Sequence, residues 1–250
     1  MKKSSSLVSL IALAASAAAF AAALALPSVA LADLAFNAGA VTEYRYRGIS
    51  QSRLKPAVQG GVDFDANGFY VGFWGSSIKW IKDIGGNAPA ELDFYGGYKG
   101  DIVKDSLTYD VGVLTYQYPR HKLATSPNTT EIYGALTYGP ATLKYSHSVS
   151  NLFGFADSKN SGYLDLSASF EVGPVTLAPH LGYQKVAHNG SFSYTDYSLI
   201  VSKEVLKGLT VSGGVVGADT KKIAGAPAYA SPAGKDLGKA AAVAGIKVVF

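Results

Sequence analysis

The residues best equipped for chemistry in this sequence are acids and bases spaced two apart. Glu43, Arg45 and Arg47 alternate with Thr42, Tyr44 and Tyr46, so in an extended chain one carboxylate and two guanidinium groups share a face. Lining a water-filled passage, such a patch biases which ions enter. The plainer expectation is that Glu43 neutralises one arginine and the set braces a wall. By the same alternation Asp63, Asp93, Asp110, Lys144, Asp165, Glu171 and Glu204 fall on inward faces. Their mixed signs speak against a single-charge filter, and for most of them a solvated or salt-bridged wall is the simpler expectation.

Catalytic constellations are thinner. His147 lies between Ser146 and Ser148, but neighbours in a strand point to opposite faces, so a serine partner would have to come from an adjacent strand. His121 and His188 fall in predicted loops, and His180 on an inward face. No Gly-x-Ser-x-Gly elbow, His-Glu-x-x-His or phosphate loop is present. The four histidines lie far apart, without metal-ligand spacing. With no cysteine, disulfides, thiolate zinc sites, iron–sulfur clusters and cysteine nucleophiles are excluded. The expectation is no enzyme, no metal and no cofactor.

The N-terminus directs these residues to a compartment. Lys2 and Lys3 precede an uncharged run from Leu7 to Leu26, and Ala30-Leu31-Ala32 has the small-x-small form of a cleavage site. Residues 1–32 are expected to be a cleaved signal peptide, leaving 33–250 as one domain. The alternative, a retained anchor, is disfavoured by the alanine-heavy composition. With the leader go two lysines and no acid, so the formal charge of +4 falls to +2. A near balance of bases and acids with no Lys/Arg-rich run gives no case for nucleic acid.

The elements that must hold the charged residues are strands. Of the 250 residues 16% are charged and 12% aromatic, a composition that folds. Past Asp33 no stretch keeps a helical period, while apolar and polar residues alternate in segments of about ten. Tyr163 to Val172 sets Leu, Leu, Ala, Phe and Val against Tyr, Asp, Ser, Ser and Glu. Twelve such segments are predicted, at 34–47, 55–65, 68–80, 89–100, 105–118, 129–138, 141–150, 161–172, 175–186, 194–205, 208–218 and 239–250. Their connections alternate long and short throughout, from the long 48–54 to the long 219–238, with tight ones such as Asp65-Ala66-Asn67-Gly68 and Gly139-Pro140 between.

That order predicts an all-β fold, a transmembrane antiparallel up-and-down β-barrel with its long loops outside and its turns in the periplasm. Closing the sheet satisfies every backbone group without water. Tyr44, Tyr46, Tyr70, Trp74, Trp80, Tyr98, Tyr116, Tyr118, Tyr138, Tyr183 and Phe250 lie near strand ends, where aromatic girdles mark the interfaces. Ala242, Ala244, Ile246, Val248 and Phe250 alternate to the last residue, in the form of the signal read by the barrel assembly machinery. Gly39, Gly61, Gly72, Gly97, Gly112, Gly182 and Gly214 on inward faces would leave room beside the wall or let the sheet curve.

Several stretches carry a family resemblance. Tyr44 to Gln51, Lys55 to Asp63 and Gly68 to Ser77, extended by Glu91 to Tyr98, Tyr109 to Val113 and Ser161 to Leu166, resemble the TorF-family porins of proteobacteria, most strongly over residues 40–120. The resemblance implies an outer-membrane barrel and a pore. It names no solute and brings no catalytic or binding residues.

The expected function is that of an outer-membrane porin-like channel for passive diffusion of small hydrophilic solutes or ions, with outer-membrane lipids and the assembly machinery as partners. The alternatives are a non-conducting barrel with a structural or adhesive role, an outer-membrane lipid-modifying enzyme using His147, and a secreted lipocalin-like barrel with its apolar face inside.

Overall fold

The computed structural model describes residues 33–250; the predicted leader, 1–32, lies outside the described residues. Twelve strands follow one another in the chain: β1 (Asp33–Val41), β2 (Ala57–Ala66), β3 (Phe69–Ser77), β4 (Ala90–Val103), β5 (Leu107–Gln117), β6 (Thr129–Tyr138), β7 (Ala141–Ser148), β8 (Gly162–Ala168, continued by Phe170–Val172), β9 (Val175–Lys185), β10 (Tyr194–Leu206), β11 (Leu209–Asp219) and β12 (Ala241–Val249). Each pairs antiparallel with its chain neighbours, and β1 pairs with β12 in the register Asn37↔Val249. The sheet is therefore a closed barrel with no free edge, as the alternating pattern predicts.

The short turns lie together with Asp33 and Phe250, the two ends of the described residues. Asn67-Gly68, both with positive φ (53° and 83°), form the turn between β2 and β3 that right-handed strand twist favours. At the same end Phe36 and Phe250 exchange backbone hydrogen bonds of 2.9 and 3.0 Å, and their rings stack with centroids 6.1 Å apart.

The outer wall is apolar. Leu34, Phe64, Val71, Val111, Leu136 and Leu199 are among many large exposed hydrophobic side chains on the outward faces, an arrangement suited to hydrocarbon and a liability in water. Among the described residues no helix is long and apolar enough to cross a membrane; the strands carry the apolar surface. The inner wall holds Trp74, Tyr116, Glu91, Glu131 and Asp196, all nearly inaccessible.

Three expectations are corrected here. The first strand stops at Val41, not at residue 47, because the chain turns into the barrel. Most of the aromatic residues assigned to an interfacial girdle are buried: Tyr44, Tyr46, Tyr70, Trp74, Tyr116 and Tyr118, whereas Tyr138, Tyr183 and Phe250 are exposed. Four of the inward glycines neither widen the lumen nor stand open. Tyr95 fills the space over Gly72, Tyr70 that over Gly97, Tyr133 that over Gly112, and Tyr163 that over Gly182.

Candidate functional site: the barrel lumen

The segment 42–56 forms a small hairpin inside the barrel at its long-loop end. Arg45–Tyr46 pairs with Ile49–Ser50, and the two residues between them, Arg47 (φ 45°) and Gly48 (φ 78°), make the tight turn. Every residue from Tyr44 to Ser50 is buried. A β-carbon on Gly48 would sit 2.7 Å from the Gly217 carbonyl oxygen and the Asp196 β-carbon, so the tip lies directly against β10 and β11.

Arg47 anchors that tip. Its guanidinium forms a two-pronged pair with Glu131 of β6 at 3.0 and 2.7 Å and donates to the Gln184 side-chain oxygen of β9 at 2.7 Å. It also lies 4.1 Å from the ring centre of Tyr163. Burial works against its charge, but Glu131, then the Tyr46 and Tyr116 oxygens, more than offset that, and the group holds its proton more tightly than a free arginine. Arg45 pairs with Glu43 at 2.8 Å and donates to the carbonyls of Gly48 and Val216. Tyr44 donates to Glu91 at 2.5 Å, and Tyr46 shares a hydrogen bond with Tyr116. From above, the 220–240 connection seals the hairpin: Ser50 donates its amide to the Leu237 carbonyl at 3.0 Å, while Ile49 packs with Tyr194 and Leu237. In the same cap Tyr229 donates to the Phe192 carbonyl at 2.7 Å, and burial raises its phenol above the ordinary range.

Tyrosine–carboxylate pairs organise the wall below. Tyr95 of β4 donates to Asp63 of β2, which also accepts from Asn37 at 3.4 Å. Tyr70 of β3 donates to Asp110 of β5 at 2.5 Å and shares a hydrogen bond with Tyr133 of β6. The Lys144 ammonium sits 3.7 Å from the Tyr133 ring centre. Asp165 of β8 meets His180 of β9 at 2.6 Å, and Asp196 of β10 lies 3.5 Å from the other ring nitrogen. Tyr163 donates to Asp196 at 3.0 Å. Both imidazole nitrogens thus face carboxylates, and the Ser198 hydroxyl, on the residue opposite His180, has no hydrogen-bond partner.

The sequence-selected residues are therefore dispersed. Glu43, Arg45 and Arg47 sit in the hairpin, where Arg47 turns away to Glu131 instead of joining Glu43 in one patch. Asp63, Asp93, Asp110, Lys144 and Asp165 lie inside the barrel, and both Asp93 carboxylate oxygens are buried without a hydrogen bond. Glu171 and Glu204 are exposed at the short-turn end, where they accept from Thr176 and from the Gly208 amide. His147 meets Asn160 and Tyr145, at 3.2 and 3.4 Å, not a serine. Among the described residues no group of histidines and acids is arranged to hold a metal ion. Sequence reasoning passed over Glu131, Gln184, Asp196 and Tyr163, although Gln184 shares the alternation of Gly182, Asp196 that of Glu204 and Tyr163 that of Asp165, and Glu131 alternates with the outward Ile132.

A small cavity of about 30 Å³ is lined by Asn37, Gln59, Trp74, Ser212 and Lys247 among others, space for about one water. Side chains and the inturned hairpin occupy the lumen around it.

A closed twelve-stranded barrel with an apolar exterior and a charged, tyrosine-rich interior is a porin-like architecture. The structure is similar to a KdgM porin at 10% sequence identity and a TM-score of 0.57, over 86% of this chain and 99% of that one. It is similar to a NanC porin at 12% identity and a TM-score of 0.53, over 87% and 99%. At such identities the likeness is one of fold. The chain belongs to the family described as bacterial protein of unknown function (Gcw_chp), which it matches over residues 28–250. No curated protein matches the sequence.

Proposed function

We propose that the protein is an outer-membrane porin-like channel for passive diffusion of small hydrophilic solutes or ions, exported through a cleaved leader and inserted by the barrel assembly machinery. The observation that carries this reading is the inversion of polarity. Large apolar side chains cover the outside, while Asp63, Asp110, Lys144, Asp165 and His180 face the inside, as a sheet in lipid requires. The likeness to two porins and the resemblance to the TorF-family porins agree with it. Glu43, Arg45, Arg47, Asp63, Asp93, Asp110, Lys144, Asp165, Glu171 and Glu204 are proposed as the residues along the solute path, Glu171 and Glu204 at its short-turn mouth.

The test is ion conductance of the folded mature chain in a planar bilayer under a salt gradient. Discrete current steps are expected, with a selectivity that changes in Arg45→Glu. A barrel that inserts and passes no current overturns the channel reading. One observation favours that second reading, a non-conducting barrel: the 42–56 hairpin fills the long-loop end and is held there by Arg47, Glu131 and Gln184.

A further inference from the structure

The near-neutral charge of the barrel hides a division by place. Among the described residues the six long connections carry thirteen Lys or Arg against four Asp or Glu, whereas the strands and short turns carry seven against fourteen. A few of those thirteen are neutralised close by: Arg45 by Glu43, Arg47 by Glu131 and Arg53 by Asp83. The rest, among them Lys79, Lys82, Arg120, Lys122, Lys159 and Lys221, are exposed.

Their distribution separates a rim from a passage. Four of them, Lys221, Lys222, Lys235 and Lys239, belong to the 220–240 connection that covers the hairpin, and the other six come from four further long connections, so they ring the long-loop end. In the inturned segment 42–56 the three arginines are matched, Arg45 by Glu43, Arg47 by Glu131 and Arg53 by Asp83, and Lys55, just before β2, is exposed. The crown also begins where the apolar wall ends. Lys185 continues the outward face of Leu181 and Tyr183 on β9, and Lys79 stands two residues past Ser77, the last residue of β3. A ring of exposed ammonium and guanidinium groups at the upper edge of an apolar belt complements a layer of phosphate headgroups. A steering field for solute would instead be concentrated at the constriction.

We propose that this loop crown binds the phosphate groups of the phosphorylated glycolipid in the surrounding outer leaflet. The inference rests on the outer-membrane reading, with the long loops outside, and does not require conduction.

The test titrates the folded mature protein, in a non-ionic maltoside detergent, with diphosphorylated lipid A and with its dephosphorylated counterpart. Binding of the phosphorylated lipid is expected to be about tenfold tighter at low salt, and the preference to collapse at high salt. A Lys79→Glu, Lys82→Glu, Arg120→Glu, Lys122→Glu variant should lose the preference and keep the heat-resistant gel mobility of a folded barrel. Equal affinity for the two lipids overturns the proposal, as does a variant that keeps the preference. Should that variant not fold, the two lipids compared on the unaltered protein decide. Orientation is read separately: the chain has no cysteine, so Lys159→Cys on intact cells should react with a membrane-impermeant maleimide. A barrel that binds the lipid but leaves Cys unlabelled there overturns the outer-leaflet assignment. Absence of current in a bilayer leaves the proposal standing.

Discussion

Tyr95 occupies the space that a β-carbon on Gly72, the residue opposite it on β3, would need. The missing side chain lets the ring lie against the wall, and the hydroxyl reaches past β3 to Asp63, which is itself opposite Gly72 on β2. One row across three strands thus holds acid, glycine and tyrosine. A diagonal form recurs where Tyr163, opposite Gln184, leans over Gly182 and donates to Asp196, the residue opposite that glycine. Between Tyr70 and Tyr133 two glycines, Gly97 and Gly112, stand in one row, and the two hydroxyls meet over them. These rows tie the barrel wall together from the inside and narrow the lumen.

Gly72→Val should therefore cost more than Tyr95→Phe. The second change loses a hydrogen bond to a carboxylate, about 1.5–3 kcal/mol; the first expels the ring and loses the same bond. In a Tyr95→Ala background the valine finds space, and the two costs should fail to add by about 0.5–3 kcal/mol. Urea unfolding in vesicles of the wild type, the three single variants and the Gly72→Val, Tyr95→Ala double variant measures this. Additive costs would show that ring and glycine act independently.

Arg47→Ala should release the hairpin. Arg47 and Glu131 are both almost fully buried, and removing one partner leaves an uncompensated charge at a cost of about 3–5 kcal/mol. Exchanging both for apolar residues, Arg47→Met with Glu131→Leu, should recover much of that. The readouts are proteolysis of 42–56 in the folded barrel and single-channel current. Arg47→Ala should raise both, and the double variant should lower both again. An Arg47→Ala hairpin as protected as the wild type would show that Tyr44, Ile49 and the 220–240 connection hold it without the arginine.

The wall was legible in the sequence and its contents were less so. Alternation such as Leu164 and Leu166 against Tyr163 and Asp165 marks a strand with two different faces, and a dozen such runs with alternating connections define the barrel. The lumenal tyrosines were misplaced because a phenol suits a membrane interface and a carboxylate-lined interior equally well. A signal was present all the same. Tyr116 shares its parity with Asp110 and Gly112, not with the outward Val111 and Val113; Tyr70 likewise goes with Gly72 and Trp74, not with Val71 and Phe73. The inturned hairpin has arms of two residues, too short for any period to register, and only its Arg47-Gly48 turn pair marks it. The basic crown is invisible in the net charge, since it appears only after the loops are separated from the strands.

Leu199 and Ser198 are neighbours on β10 that face opposite ways, one exposed and one buried. In a lipid-embedded barrel Leu199→Arg puts a cation into hydrocarbon near the strand's middle, at about 2–4 kcal/mol. Ser198→Ala removes a hydroxyl without a hydrogen-bond partner and should change stability by no more than about 0.5 kcal/mol. Reversible unfolding from vesicles compares them. A Leu199→Arg protein as stable as the wild type would overturn the outward-facing lipid surface and favour a water-soluble barrel.

The end of the chain allows closure and recognition to be separated. Phe250 contributes two backbone hydrogen bonds to Phe36 and a stacked ring at the seam where β12 meets β1. Deleting Phe250 removes all three contacts, whereas Phe250→Ala keeps the backbone pair and loses only the ring. In unassisted folding into vesicles, followed by the shift in gel mobility on heating, the deletion should slow closure and Phe250→Ala should do so much less. In cells the order should change if the aromatic ring is what the assembly machinery reads: Phe250→Ala should then reduce outer-membrane protein as severely as the deletion. A Phe250→Ala protein that reaches the outer membrane at wild-type levels would confine the ring to packing at the seam, and recognition would then rest on the alternating residues Ala242, Ala244, Ile246 and Val248.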